Sequence, residues 1–225
     1  MKEIFGNMIA SLPPRAGLNS LYTFLCNSDF LTAPCSTRFH LACKGGLAKH
    51  TLNVINIANE VNRRYDYYPV ESVIIAALGH DFCKVNFYKE IDEPPTDAQL
   101  KYLVSLTAKA GIKLPPKLNK VYVSILIDFM LKKYKAGIEL PEFTPSYVVE
   151  DQLPLGHGEK SLYIMKQFIE LTVDEALAIR WHMGAFDLNM ESMYQKLAYN
   201  KAVEQSKLVS ILQIADMEAT HLVEV

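Results

Sequence analysis

The sequence predicts an all-α domain, because apolar residues recur at three- and four-residue steps along most of the chain. The clearest stripe consists of Leu47, His50, Val54, Ile57 and Val61. Half of the 225 residues are hydrophobic, and no internal repeat or low-complexity segment interrupts the pattern. This length and composition suit one domain, 1–225, with a substantial core.

Proline and glycine divide the chain into predicted helices. Gly45-Gly46 precedes the first, and Thr96, after a pair of prolines, can cap another. Thr172 and Glu175 have the spacing of a capping box. The predicted helices run from 47 to a Tyr-Tyr-Pro stop at 67–69, then over 70–80, 96 to about 111, 117–134, 159–171, 173–183, 190–199 and 201 to about 222. Residues 135–156 are expected to form an ordered loop with a short hairpin around 147–149.

Composition restricts the classes of partner. A formal net charge of −2 argues against a broad surface for duplex DNA or an anionic membrane. It leaves room for a small phosphorylated substrate, or for a single-stranded nucleic-acid end in a local basic pocket. The four cysteines form neither a CxxC pair nor a disulfide framework. Neither a secretory signal nor a membrane-spanning apolar run is evident. We therefore expect a soluble, cytoplasmic protein that does not contact membranes.

The adjacent pair His80-Asp81 is the most informative feature of the chain. It ends an apolar run, Val73–Gly79, that would form a buried helix. Imidazole nitrogen and carboxylate oxygen suit zinc, iron or manganese. A buried carboxylate costs several kcal/mol unless it is paired or bound to a cation. Asp216 adjoins the apolar stripe of the last predicted helix and poses the same problem, so it either reaches a cation or pairs with Arg or Lys.

Three further histidines complete a candidate metal site. His50 lies on the apolar stripe of the first predicted helix, His157 is flanked by two glycines, and His182 follows Trp181 near a helix end. A lone histidine on an apolar face is more often a core residue. That purely structural interpretation predicts no bound metal and normal folding after chelation. The candidate ligands are His50, His80, Asp81, His157, His182 and Asp216.

The order of these residues resembles the HD-domain superfamily of metal-dependent phosphohydrolases. The similar segments are Gly-Gly-Leu-Ala-Lys-His50, Leu-Gly-His80-Asp81-Phe-Cys-Lys84, Leu-Gly-His157-Gly-Glu-Lys160 and Arg-Trp-His182-Met-Gly184, followed by Asp216. The resemblance covers about residues 34–93 and 150–222, so we interpret 94–149 as an inserted helical segment and expect it to roof the cleft. Phe82-Cys83 replaces the small or aliphatic residues common in the family, which makes Cys83 a possible neighbour of the metal.

The resemblance implies an HD-like helical bundle with two divalent cations. One would be held by His50, His80, Asp81 and Asp216. Asp81 would bridge to a second ion carried by His157 and His182, because a carboxylate has two oxygens. The identity of the metal stays open among Mn, Fe, Co, Ni, Zn and Mg. A metal-activated water would then attack phosphorus, with Asp81 and Lys84 as the catalytic residues.

Three basic residues are candidates for phosphate binding. Lys84 would project from the end of the helix that carries Asp81. Arg38 could clamp a phosphate in two places, although a salt bridge to Glu150 or Asp151 is equally compatible with the sequence. Lys160 is a weaker candidate.

The remaining polar residues have weaker assignments. Asp187 could orient His182 or a metal-bound water, but a helix cap is the favoured interpretation. His40 could contact a metal ligand, and His221 is expected to be unrelated to the chemistry.

The leading hypothesis is a phosphohydrolase that cleaves a phosphate mono- or diester, which we expect to be a nucleotide or an oligonucleotide end. An exonuclease would need further basic residues; the inserted segment offers Lys113, Lys117, Lys120, Lys132, Lys133 and Lys135. The alternative is a catalytically silent HD-like module that binds a metal or a nucleotide. The sequence leaves the oligomeric state open.

Overall fold

The computed structural model describes residues 1–37, 40–132, 134–135 and 139–224. Within these ranges the chain is mostly helical, with ten α-helices and one two-stranded sheet. The helices are α1 (Lys2–Ala10), α2 (Leu18–Asn27), α3 (Gly46–Tyr65), α4 (Val70–Gly79), α5 (Asp97–Ala110), α6 (Lys120–Lys132), α7 (His157–Met165), α8 (Val173–Trp181), α9 (Met193–Gln205) and α10 (Lys207–Glu218). The strands are β1 (Tyr88–Ile91) and β2 (Ser146–Val149). The predicted predominance of helix is confirmed. No helix in these ranges combines the length and apolar character needed to cross a membrane.

The main core is built around α4. Every residue from Val73 to Gly79 is buried, because α3 and α8 pack on this helix and α10 packs on both of them. Burial of the four large side chains in this run, those of Val73, Ile74, Ile75 and Leu78, contributes about 1.5–3 kcal/mol each. The end of α4 therefore delivers the next two residues, His80 and Asp81, to the middle of the bundle.

The 94–149 stretch forms a smaller unit. Helices α5 and α6 pack on each other around a separate apolar cluster that includes Leu103, Tyr122 and Leu126. The hairpin predicted around 147–149 is wrong: β2 instead pairs antiparallel with β1, with Tyr88 opposite Val149 and Ile91 opposite Ser146. The inserted helices are thereby tied to the segment that follows α4. That this segment is an insertion in a single domain stays a prediction.

Several predicted helix boundaries move for local reasons. Helix α6 begins later than predicted, where the Asn119 side chain accepts a hydrogen bond from the Tyr122 amide at 2.7 Å. Helix α7 ends earlier than predicted, at Met165. The last two helices separate at Ser206, not near residue 200, because Ser206 is extended and the Tyr68 hydroxyl accepts from the Lys207 amide at 3.0 Å. The predicted caps at Thr96 and Thr172 are confirmed, each as a full capping box.

The loop between α1 and α2 is joined to the start of α8 by a partly buried ion pair. Arg15 donates to both carboxylate oxygens of Glu175, at 2.9 Å and 2.7 Å. Glu175 is fully buried and also accepts from the Thr172 amide at 2.8 Å. Since α8 ends directly before His182, this contact supports a helix that carries a candidate ligand.

We expect Glu175→Gln to lower the free energy of unfolding at neutral pH by about 1.5–3 kcal/mol, the usual value for hydrogen bonds to a charged group. Burial raises the pKa of Glu175, but hydrogen bonds from Arg15 and the Thr172 backbone outweigh burial and hold it below its usual value of 4.5. The unfolded chain therefore takes up the proton first as the pH falls. The contribution is complete above pH 4.5 and is lost as the pH falls through the folded-state pKa.

Urea unfolding of both proteins between pH 7 and pH 3 measures this effect. The difference between wild type and Glu175→Gln should shrink toward the acidic end. Glu60→Gln, at an exposed site on α3, is the control and should change stability little. A difference that stays constant over this range would contradict the assignment.

Candidate metal centre

The structure brings all six predicted metal ligands together, although they come from five helices or helix ends. His50 lies within α3, and His80 and Asp81 directly follow α4. His157 begins α7, and His182 directly follows α8. Asp216 is in α10. All four core helices and α7 therefore contribute to one site.

The first group of donors surrounds the Nε2 atom of His50. This atom lies 3.2 Å from His80 Nε2 and 3.2 Å from Asp216 Oδ1. Asp81 Oδ2 is 3.5 Å from the Nε2 atoms of both His50 and His80. Two nitrogens and two carboxylate oxygens thus converge within a few ångströms from α3, the end of α4 and α10.

The second group surrounds the other oxygen of Asp81. His157 Nε2 lies 2.8 Å from Asp81 Oδ1, and His182 Nε2 lies 3.8 Å from the same oxygen. Each Asp81 oxygen therefore faces a different set of histidines. This is the arrangement that a bridging carboxylate requires.

Two of the histidines use one ring nitrogen, Nδ1, for a hydrogen bond to a backbone carbonyl. His80 Nδ1 lies 2.6 Å from the Ala77 carbonyl, and His182 Nδ1 lies 2.8 Å from the Ile179 carbonyl. A carbonyl only accepts, so Nδ1 carries the hydrogen and Nε2 keeps its lone pair. Both histidines occupy the same position, one residue beyond a helix end. Each lone pair is thereby aimed at the donor groups.

Burial keeps these two rings neutral. Burial lowers the pKa of His80, and burial with the nearby His80 and His157 lowers that of His182 to about 3. His182 Nε2 is buried and has no hydrogen-bond partner among the described residues. Leaving such a group unsatisfied costs about 1–3 kcal/mol. A neutral, orphaned nitrogen directed at a carboxylate is what a divalent cation would satisfy.

The other two histidines are flanked by anionic or polarisable groups. Burial opposes protonation of His50, but hydrogen bonds to Asp216 and Glu224 raise its pKa to about 9. Burial also opposes protonation of His157, but Cys83 and Asp81 raise its pKa to about 10.

The pKa values of the two aspartate ligands, Asp81 and Asp216, are lowered. Burial would raise the pKa of Asp81, but Lys84 and His80 hold it well below its usual value. The hydrogen bond from His50 outweighs burial and lowers the pKa of Asp216 in the same way. Both carboxylates are therefore ionised at neutral pH, as ligands must be.

The donor set fits one or two divalent cations. Imidazole nitrogen with carboxylate oxygen suits Zn, Fe, Co, Ni or Mn. Two histidines are oriented by backbone carbonyls, as ligating histidines generally are. The orphaned nitrogen of His182 is the observation that a core-histidine interpretation does not explain.

The phosphate-binding candidates have different outcomes. Lys84 lines the cavity beside the metal ligands, with Nζ 2.7 Å from Asp81 Oδ2 and 3.4 Å from Cys35 Sγ. Burial opposes its charge, but Asp81 raises its pKa well above the usual value.

Lys160 is buried, pairs with Asp151 and lies 4.4 Å above the Phe87 ring, away from the described cavity lining. Its predicted contact with a phosphate is therefore not supported. Arg38 lies outside the described residues.

Three weaker predictions are also resolved. Asp187 does not orient His182; it accepts from Arg180 at 2.8 Å and from the Gly158 amide at 3.4 Å.

His40 lines the cavity with its ring centre 5.1 Å from that of His50, as a neighbour of a ligand would. His221, predicted to be unrelated, also lines the cavity.

The cavity at the site has a volume of about 580 Å³ and a mixed lining. Its charged and polar residues include Asp81, Lys84 and His157. Its apolar residues include Met183, Ala185, Phe186 and Met217. No described cavity residue belongs to the 94–149 segment, so the prediction that the insertion roofs this cleft is wrong for the described chain. Residues of this segment, among them Lys120 and Tyr147, instead line a second cavity together with Thr37, Ala42 and Cys43.

Sequence reasoning missed two residues at the site. Cys35 is buried with Sγ 3.3 Å from His40 Nε2, and nothing in its sequence context indicated this position. The Glu224 carboxylate lies 3.1 Å from His50 Nδ1. It follows a π-helical turn, Ala219–Val223, that the regular helical pattern does not predict. Cys83, named as a possible neighbour, has Sγ 3.3 Å from His157 Nε2.

Comparisons of the chain with protein-family models, with curated proteins and with solved structures found no match. The case for a function therefore rests on the site itself. Its decisive features are the two histidine groups around the two oxygens of Asp81, the His182 nitrogen without a hydrogen-bond partner, and the lysine that lines the cavity.

Proposed function

We propose that the protein is a metal-dependent phosphohydrolase of the HD-domain type that cleaves a phosphate mono- or diester. The observation that carries the proposal is the position of Asp81, whose two oxygens face two separate histidine groups. His50, His80 and Asp216 complete one group, and His157 and His182 complete the other. Two divalent cations held there would supply an activated water and offset the charge of the phosphate.

Lys84 supports a phosphate ester as the substrate. Its ammonium has three donors, and Asp81 and Cys35 occupy two of them. No described residue accepts from the third, which would leave it for the oxygen of a phosphate in the cavity that Lys84 lines. Since Asp81 keeps Lys84 charged, the lysine offers a fixed positive charge beside the metal ligands. Its role is to bind and orient the phosphate.

The apolar part of the cavity lining supports an organic phosphoester over inorganic polyphosphate. Met183, Phe186 and Met217 line the same cavity as Asp81 and Lys84. A substrate with a phosphate at one end and a flat or apolar group at the other would match both parts of the lining. A nucleotide or an oligonucleotide end has this character, and it is the substrate class that we propose.

The protonation state of the cysteine that lines the cavity favours water, and not a thiolate, as the attacking group. Cys35 is the one cysteine among the described cavity residues. Burial raises its pKa, so the thiol stays protonated at neutral pH and is a poor nucleophile. A covalent cysteinyl intermediate therefore has little support.

A panel of phosphate esters tests the proposal. Protein loaded with Mn²⁺ is incubated with an aryl phosphomonoester, an aryl phosphodiester, nucleoside mono-, di- and triphosphates, and short single-stranded oligonucleotides. We expect hydrolysis of at least one member, with loss of activity after chelation and in Asp216→Asn. Silence across the panel in protein shown to carry two ions would contradict the proposal and favour a catalytically silent binding module.

A further inference from the structure

A third carboxylate group, that of Glu224, contacts the site from outside the predicted ligand set. The side chain of Glu224 is fully buried, and both of its oxygens lie 3.1 Å from His50 Nδ1. Oε1 also accepts from Asn53 Nδ2 at 2.8 Å. Asn53 lies on α3, close to His50. Glu224 is therefore fixed by two donors of the same helix.

The π-helical turn at the end of α10 places this carboxylate. The Glu224 amide donates to the Ala219 carbonyl at 3.0 Å, which closes an i to i+5 turn. Two regular α-helical turns span about seven residues, so a regular helix would bring Val223 to the side of Asp216. One extra residue in the π turn brings Glu224 there instead. Asp216 and Glu224 then approach His50 from one continuous segment.

The Nδ1 hydrogen of His50 needs an acceptor from a distant part of the chain, whereas those of His80 and His182 have one nearby in sequence. His80 and His182 stand at helix ends and use the carbonyl three residues earlier. His50 stands within α3, where the neighbouring carbonyls are engaged in the helix. Its Nδ1 hydrogen therefore requires a partner from elsewhere in the chain. Glu224 is the described residue that supplies it.

We propose that Glu224, held by Asn53, is a positioning residue for the metal centre. With a cation bound, it would fix the hydrogen of His50 on Nδ1 and leave the Nε2 lone pair directed toward the cation beside His80, Asp81 and Asp216. Such outer partners orient a ligating imidazole and increase its basicity, and their loss typically weakens metal affinity by about 10- to 100-fold. The inference rests on the proposed metal site, but not on the identity of the reaction.

The test compares wild type with Glu224→Ala and Glu224→Gln. Bound Zn²⁺ is counted, and the two dissociation constants are measured by competition with a chelator. We expect Glu224→Ala to weaken one ion by about 10- to 100-fold and to leave the ion at His157 and His182 unchanged. Glu224→Gln keeps one acceptor oxygen and should lose less. The control is Glu218→Gln at the end of α10, because the Glu218 side chain makes no hydrogen bond or ion pair with the described residues.

A spectroscopic readout separates positioning from a merely structural role. In Zn²⁺-loaded wild type, ¹⁵N NMR should show the His50 hydrogen on Nδ1, protected from exchange. Glu224→Ala should expose this hydrogen to exchange while the signals of His182 stay in place. Thermal melts of each variant establish that it is folded.

Three results would overturn the inference: wild-type affinity at both ions in Glu224→Ala, equal weakening of both ions, or a wild type that binds no Zn²⁺. The proposed reaction can fail separately. Selective weakening of one ion, in a protein that cleaves no phosphoester, would support the positioning role of Glu224 and reject the phosphohydrolase.

Discussion

Asp81→Asn is expected to slow phosphoester hydrolysis by about 1000-fold or more, equivalent to about 4 kcal/mol of transition-state stabilisation. The reason is that both oxygens of this carboxylate are used. One faces His50 and His80, and the other lies 2.8 Å from His157. An amide has nearly the same shape but lacks the charge and offers one oxygen, so it cannot serve both groups. Bound metal should fall together with the rate.

Turnover at saturating Mn²⁺ and the metal content after gel filtration measure this effect. The matched control is Asp174→Asn on α8, a partly buried aspartate that accepts from the Tyr68 hydroxyl at 3.1 Å. This variant should retain both metal content and rate. An Asp81→Asn protein that kept two ions and most of its activity would exclude Asp81 as the bridging ligand.

Much of the site could be predicted from the sequence because its signals are local. Val73–Gly79 is an uninterrupted apolar run, so burial of the next two residues follows from helix packing. The glycines beside His157 and the capping box before α8 likewise mark helix ends. Histidines and aspartates at such places are poorly explained by packing alone. That these residues lie together at one site was inferred from their order in the chain, and the structure brings all six predicted metal ligands together.

The parts that could not be predicted depend on contacts between distant segments. Strand β2 pairs with β1 across the inserted helices, and neither short strand has a strong alternating pattern. The helix break at Ser206 depends on the Tyr68 hydroxyl, which comes from another part of the chain. Glu224 depends on a π turn, and one extra residue in a turn leaves no mark in hydrophobic periodicity. Each of these features positions polar groups, for which apolar patterning carries no information.

Gly158→Ala should selectively weaken the second metal group and reduce the number of tightly bound ions from two to one. Gly158 follows His157 in the first turn of α7 and packs against the Arg180 backbone near the end of α8. A β-carbon at this position would overlap the Arg180 carbonyl oxygen and lie 2.7 Å from the carbonyl carbon. Backbone cannot move aside as a flexible side chain can. The added methyl group must therefore push α7 away from α8, and His157 away from His182.

The sign of the stability change separates this steric effect from helix propensity. Alanine is favoured over glycine within a helix by about 1 kcal/mol, whereas overpacking costs about 1–3 kcal/mol. We expect net destabilisation together with loss of one ion, measured by urea unfolding and metal analysis. The control is Gly156→Ala, where the nearest atoms to an added β-carbon all belong to the flexible Glu159 side chain. That variant should keep two ions. A Gly158→Ala protein that is more stable and still binds two ions would show that close approach of α7 and α8 does not hold the second group together.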